Sequence, residues 1–496
     1  ARKSCGESYL TVGIEQYNSS VRQYQLIVFA SWRRDGLHIR LARSSLHPGE
    51  VGLCAVDNDA GLCYACCRLD RFHIVLLAAH QYFLGCIVRF ECEHAFRVGL
   101  SAGWYTIAWA LGAIVMGLFM AKKYREQNIT TITELIERHH TKGAVILGVI
   151  CQIVIQLVII SLQYIAGGSI LHAILPDIFD FQTGMIVSAI TFIGITFIGG
   201  MWSASLSNVM NIVLIYVGIL AATIIQFKKI GSMDQLAAVL PTNVPWFSFI
   251  DGVGPVTITS WVVTLITVNL SLQSILQISL GAKDAETAKK GFVWGGILML
   301  PVGVLAAFLG IVAKAMYPDA QAALALPQVI VGLQPVLAGI TLAALWAADV
   351  STACNLLLSA GTLFSSAIYK RFVNPQCDQN KQLLMTRLCI VISGILTLGL
   401  AMSVSSILGT IMIGLSLTAA FSVIVIVALF FPQYASKAAG FWTLLAGLVM
   451  VVLWKLTPAV HIFPNVIYME WLVCIAAYAI VAVVSPAKKE APALEE

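Results

Sequence analysis

Charge is what this sequence has least of. Asp, Glu, Lys and Arg together make up 11% of its 496 residues, against roughly 25% in an ordinary soluble domain. A fold surrounded by water must cover itself with polar groups, and there are too few here to do so. The shortage therefore excludes a soluble globular protein. Nucleic-acid binding is excluded on related grounds: the formal net charge is only +5, and the basic residues fall in short clusters between apolar runs, not in one stripe. A Walker loop, a dinucleotide fingerprint and a nucleophile triad are all missing, so an enzyme is not expected. The 12 cysteines form no disulfide framework. Five of them (Cys151, Cys354, Cys377, Cys389, Cys474) are scattered in or beside apolar segments, where a free thiol behaves as a small hydrophobe.

What is present is apolar length. Hydrophobic residues reach 59% and mean hydropathy is +0.86. A bilayer core about 30 Å thick needs about 20 apolar residues in a helix. Eleven windows of that kind are predicted, near 99–121, 143–171, 183–200, 209–227, 256–279, 291–317, 335–369, 385–405, 408–431, 437–455 and 466–484. Basic residues alternate between the connections. Lys122, Lys123, Arg125, Arg138 and Lys142 follow the first window; Lys289 and Lys290 follow the fifth, Lys370 and Arg371 the seventh, Lys488 and Lys489 the last. The connections between these, such as 172–182 with Asp177 and Asp180, are poorer in them; Lys228 and Lys229 are the exception. The positive-inside rule then puts Gly99 outside and the C-terminus in the cytoplasm, as in a multi-pass protein of a plasma membrane, with a bacterial inner membrane the expected setting.

Residues 1–96 break this pattern. They hold seven of the 12 cysteines and five of the nine histidines, and within them only Phe72–Val88 approaches the composition of a span. Tyr24–Trp32 is shorter still. Either this is a genuine N-terminal domain, soluble or half-embedded, or it is a stretch read out of register with its gene. Cys63-x-x-Cys66-Cys67 with Cys86, Cys92 and His94 matches no standard zinc spacing, so no metal centre is expected. The domain expectation is residues 1–96, a membrane domain over 97–485, and a tail at 486–496.

The most informative passage is Leu342 to Ser359. Wound as a helix, Ala348, Ser351, Thr352, Asn355 and Ser359 share one face, which is small and hydroxylated. Two readings stand side by side: close helix packing, which small residues permit, or oxygen ligation of a hard cation by two hydroxyls and a carbonyl. Asp349 lies one position off that face, and a carboxylate inside a membrane is a functional candidate for ion or proton binding. The window 256–279 is unusually polar. Its Gln273 and Gln277, one turn apart, either bond a polar solute or sit solvated at the cytoplasmic end. Gly254-Pro255 marks irregular backbone at the other end. Gly199-Gly200 through Asn208 reads as a tight turn between two windows.

From about Val98 onward the chain resembles the sodium:solute symporter family. Gly199-Gly200-Met201 through Asn211 resembles a family passage in which Asn208 stands in place of Asp. Gln273-Ser-Ile-Leu-Gln277 resembles a second one. Ala347-Ala-Asp-Val-Ser351-Thr352, after Tyr317-Pro318-Asp319, resembles the third and most specific. The resemblance implies an all-α polytopic membrane protein with a five-plus-five inverted-repeat transporter fold and extra helices, the first two spans absent or garbled. It implies a cation site at the carbonyl of Ala348 and the hydroxyls of Ser351 and Thr352, with solute or gating roles for Gln273, Gln277 and Asn355. No enzyme activity and no cofactor are implied; the partners are Na+ as coupling ion, a small organic solute and the lipid bilayer. Residues 1–96 lack the family's opening passages, which would supply the rest of the cation site. Two alternatives stay open, a proton-coupled carrier that uses Asp349 and a non-transporting sensor.

Overall fold

The structure is a computed structural model that describes residues 10–13, 24–33, 36–45 and 85–486 apart from 128, 130, 283 and 404–406. The side chains of 10–13, 24–33, 36–45, 85–87, 199–212 and 404–411 also lie outside the description. The chain divides into two compact units, Ala1–Val56 with Tyr64–Cys67, and Asp57–Cys63 with Arg68–Glu496. In the first, strands β1 (Leu10–Gly13), β2 (Tyr24–Arg33) and β3 (Gly36–Ser45) form an antiparallel sheet in sequential order, with Val28 paired to both Val12 and Leu41. The short apolar run at Tyr24 is thus strand. Alternating Leu26, Val28 and Ala30 suit a pleated surface, and ten residues are too few to cross as a helix. The apolar run at Phe72 and the thiols of Cys63, Cys66, Cys67 and Cys86 lie outside the described residues.

The second unit is helical among its described residues. Helix α1 (Gly85–Val98) passes through a 3-10 turn into α2 (Trp104–Val115), and a π turn carries α2 into α3 (Ala121–Glu126). The turn is tight because Gly99, at φ 78°, lies against Trp246, whose carbonyl oxygen would be 2.5 Å from any added Cβ. Short α4 (Ile132–His139) is opened by Thr131, whose hydroxyl accepts from the Glu134 amide, half of a capping box. Next come α5 (Lys142–Ile174), α6 (Phe181–Ile230), α7 (Met233–Val239), α8 (Pro255–Ser271), α9 (Gln273–Gly281) and α10 (Ala285–Met316). Helices α11 (Ala325–Val331), α12 (Pro335–Thr362, prolonged as a π helix to Val373), α13 (Gln379–Ser403), α14 (Ile407–Ser416), α15 (Thr418–Phe430), α16 (Ala439–Leu456) and α17 (Val466–Val484) complete it.

Among the described residues, ten stretches are long and apolar enough to span a bilayer, and the pair α8–α9, bent by 53° at Leu272, makes up to eleven. These correspond one to one with the eleven predicted windows, the first lengthened to Val88–Glu126. One local expectation fails and another holds. The tight turn foreseen at Gly199 to Asn208 is continuous helix within Phe181–Ile230, where no proline stands and no charge comes before Lys228 in the last turn. The irregular backbone foreseen at Gly254-Pro255 is present: Gly254, at φ 86°, precedes a helix start, with Pro255 at a first-turn position that needs no amide donor. The true break comes seventeen residues later, where neither glycine nor proline stands.

Helix α12 packs against α5, α6 and α13 at the centre of the bundle. The approach of α5 to α6 is close: a Cβ on Gly168 would lie 2.5 Å from the Met185 side chain, and one on Gly184 would lie 2.7 Å from the Gly168 carbonyl oxygen. Outward faces carry large apolar side chains such as Ile190, Val213, Leu396 and Ile480, the expected arrangement where lipid is the solvent.

Candidate functional site

Helix α12 holds Ala348 and Ser351 fully inside the protein and Thr352 partly so. The Ser351 hydroxyl donates to the Ala348 carbonyl oxygen at 2.9 Å, and the Thr352 hydroxyl donates to the same oxygen at 3.1 Å. Three oxygens are therefore gathered within hydrogen-bond distance on one side of one helix. Back-bonding of this kind is common for Ser and Thr in apolar helices. Its consequence here is chemical: with both protons turned onto the carbonyl, hydroxyl lone pairs face away from the helix, as a hard cation requires.

Along the same helix the polar groups lose their partners. Both oxygens of buried Asp349 lack a hydrogen bond, as do Asn355 Oδ1 and Ser359 Oγ. On α5, which faces α12, both polar atoms of buried Gln156 are likewise unpartnered. Asp349 has electrostatic contact with Arg89 of α1. Arg89 in turn donates from Nε to the Ala323 carbonyl at 3.2 Å and lies 3.7 Å from Glu93. Next to it, buried Glu91 accepts from the Thr106 hydroxyl. Sequence reading passed over Arg89 and Glu91 because they fall in the stretch set apart at 1–96, and over Gln156 because it stands alone in an apolar run.

The break between α8 and α9 is the second polar centre. Asn269 and Ser271 bond back to the carbonyls of Leu265 and Thr267, at 2.7 and 3.2 Å, which competes with helical continuation. Neighbours then take up what the break exposes. The Tyr124 hydroxyl donates to the Leu270 carbonyl at 2.6 Å, and Gln152 Nε2 to the Ser271 carbonyl at 2.8 Å. The Gln273 amide donates to Gln152 Oε1 at 3.3 Å, and the Ser422 hydroxyl to the Thr267 carbonyl at 3.0 Å. Gln273 Oε1 accepts the Ile132 amide at 2.7 Å, so this side chain ties α9 to α4. Solvation at the cytoplasmic end was one expectation for Gln273 and Gln277, and both are buried instead. Gln277 Nε2 has no partner. The structure thus separates the two glutamines, one a strap and one an open donor. Of the family passage at Gly199, Gly200 and Asn208, only the helical backbone is described. Among the described residues no group of three or more His, Cys, Asp and Glu side chains could hold a metal ion.

Apolar spans, one broken helix and unpartnered polar groups in the membrane interior define the class, a polytopic secondary transporter. The sodium:solute symporter family model matches residues 91–447, and the chain belongs to that family. Curated relatives include a sodium/proline symporter of Staphylococcus aureus, 23% identical over 74% of this chain and 75% of its own length. A sodium/glucose cotransporter of Vibrio parahaemolyticus is 25% identical over 60% of this chain and 61% of its own length. Among solved structures, a Na+-coupled sialic acid symporter aligns with TM-score 0.69 at 17% identity, covering 85% of this chain and 91% of that one. A nucleobase-cation-symport-1 family transporter aligns with TM-score 0.57 at 15% identity, covering 84% and 93%. These likenesses establish the inverted-repeat transporter fold.

Proposed function

We propose that this chain carries a small polar organic solute into a bacterial cell by Na+-driven alternating access, with its C-terminus in the cytoplasm. The observation that carries the reading is the oxygen trio of Ala348, Ser351 and Thr352 on a buried helix. The solute would bind beside it, where Gln156, Gln277, Asn355 and Ser359 present buried polar atoms that have no hydrogen-bond partner among the described residues. Leaving such groups unbonded inside a membrane costs several kcal/mol each, a cost that a polar solute or water would offset. Cation and solute stabilise the same closed arrangement, so each tightens the other's binding by an equal factor.

The test is uptake into proteoliposomes under an imposed Na+ gradient. Proline and glucose, the solutes in the names of two relatives, are the first to try, followed by carboxylates and vitamins. Uptake of one of these that needs Na+ inside-directed supports the reading; uptake that ignores Na+ and follows a proton gradient overturns it. That second outcome is the rival reading, and the unpartnered oxygens of Asp349 are the observation that favours it.

A further inference from the structure

A second buried carboxyl lies far along the chain from the site above. Glu470 stands one turn into α17, fully removed from solvent. Its Oε2 accepts only from the Cys474 thiol, at 3.7 Å, and its Oε1 has no hydrogen-bond partner. Opposite it α16 places Gly447, where an added Cβ would meet Glu470 Oε2 at 3.1 Å and Cys474 Sγ at 3.2 Å. The helices are therefore spaced to admit this carboxyl and little else.

Among the described residues no positive charge answers it. Besides Cys474, its own helix presents Tyr478, whose buried hydroxyl lacks a partner. Helix α16 presents Thr443, also unpartnered, and its only ionisable residue, Lys455, is near the far end. Helices α8, α14 and α15 contain no ionisable residue. The remaining groups are the Cys151 thiol of α5, within electrostatic reach, and His140, which stacks edge-on against Tyr478 two turns away. An ionised carboxylate without a counter-ion is strongly disfavoured in such a place. A metal cation would need several oxygens, and here one carboxyl and one thiol converge.

We propose that Glu470 is a proton-binding site separate from the cation and solute chamber, and that α17 closes on α15 and α16 only while the proton is held. The step is simple: the carboxylic acid releases H+ to water and becomes a carboxylate between three apolar helices, which then part or hydrate. The next residue transmits the change. Trp471 donates to the Thr267 hydroxyl at 3.0 Å, one turn before the break in α8–α9, and Asn465 and Tyr468 bond the same helix at 3.3 and 3.0 Å. External or internal pH thereby acts on the broken helix without touching Asp349.

The experiment is infrared spectroscopy of the full-length protein in lipid, following the C=O stretch of protonated carboxyls as pH is raised. The expected result is a band present at neutral pH that falls about tenfold per pH unit beyond its midpoint and is missing in Glu470→Gln. Asp349→Asn and Glu91→Gln, the other buried acids of α12 and α1, leave that band in place. A Glu470→Gln spectrum identical to the parent, or a band that never titrates, overturns the proposal. If Glu470→Gln does not fold, Glu470→Asp is read instead: a shifted band supports the site and an unshifted one overturns it. Neither readout depends on transport, so failure here leaves the symport reading untouched.

Discussion

Two polar regions inside the same membrane bundle are built on opposite terms. Around the break at Leu272, exposed backbone groups meet side chains chosen for them: Tyr124, Gln152, Gln273 and Ser422 each make a bond of 2.6 to 3.3 Å. Along α12 the reverse holds, and Asp349, Asn355 and Ser359 keep polar atoms with no bond at all. Both regions are buried and both are rich in Ser, Asn and Gln, so composition does not distinguish them. Satisfaction does. A bonded polar group in an apolar interior holds structure, while an unbonded one carries a desolvation cost that only a ligand or water removes.

Mutation sharpens that contrast. The largest effect belongs to Ser351→Ala with Thr352→Ala. Hydrogen bonds or ligation involving charge are worth about 1.5–3 kcal/mol each, so Na+ activation of uptake should weaken about a hundredfold or more. Thermal stability should move little, since both hydroxyls back-bond to the Ala348 carbonyl of their own helix. Equal losses of Na+ activation and stability would erase the distinction drawn here. Gln152→Leu should do the opposite. It strands the Ser271 carbonyl and the Gln273 amide, at about 1–3 kcal/mol for each buried orphan. A lower melting temperature at an unchanged apparent Na+ affinity is expected, and a change in Na+ affinity alone would show that the break itself binds the ion. Asp349→Asn comes third. Replacing a buried carboxyl that has no hydrogen bond should leave the melting temperature equal or higher and Na+-driven uptake within about threefold of the parent. Complete loss of uptake would move the coupling ion to Asp349.

Much of the fold was legible before any coordinates. Eleven hydropathy windows match ten spans and one bent pair, because bilayer thickness sets length and apolar runs report it directly. The face of Ala348, Ser351 and Thr352 was legible too, since helical spacing alone aligns it. What escaped depends on partners distant in sequence. No glycine or proline marks Leu272 as a break; besides the local bonds of Asn269 and Ser271, Tyr124, Gln152 and Ser422 support it from 146, 119 and 155 positions away in their respective bonds. Gln273 and Gln277 look alike in sequence and diverge only because Ile132 lies beside the first. Glu470 is one acid in an apolar helix, and only the packing shows that no cation comes near it.

A last effect, read in stability alone, concerns the end of the bundle where α4 meets the turn before α16. His140 Nδ1 is 2.7 Å from the Ser436 carbonyl and 3.3 Å from the Gly440 amide, and a Cβ on Gly440 would touch the ring at 2.6 Å. Burial pushes its pKa from 6.5 down to about 4, with His139 adding to the fall and the Ser436 bond opposing it. The folded protein therefore holds a neutral ring. Below the unfolded value of 6.5 the unfolded chain binds a proton that the folded one refuses, so stability is present above that pH and is lost as pH falls toward about 4. A shift of this size corresponds to at most about 3 kcal/mol. Melting temperature measured from neutral to acid pH should fall through this window, and His140→Asn should flatten the fall while starting from a lower value at neutral pH. If the variant declines as steeply as the parent, another group governs the acid limb and the turn is a passive contact.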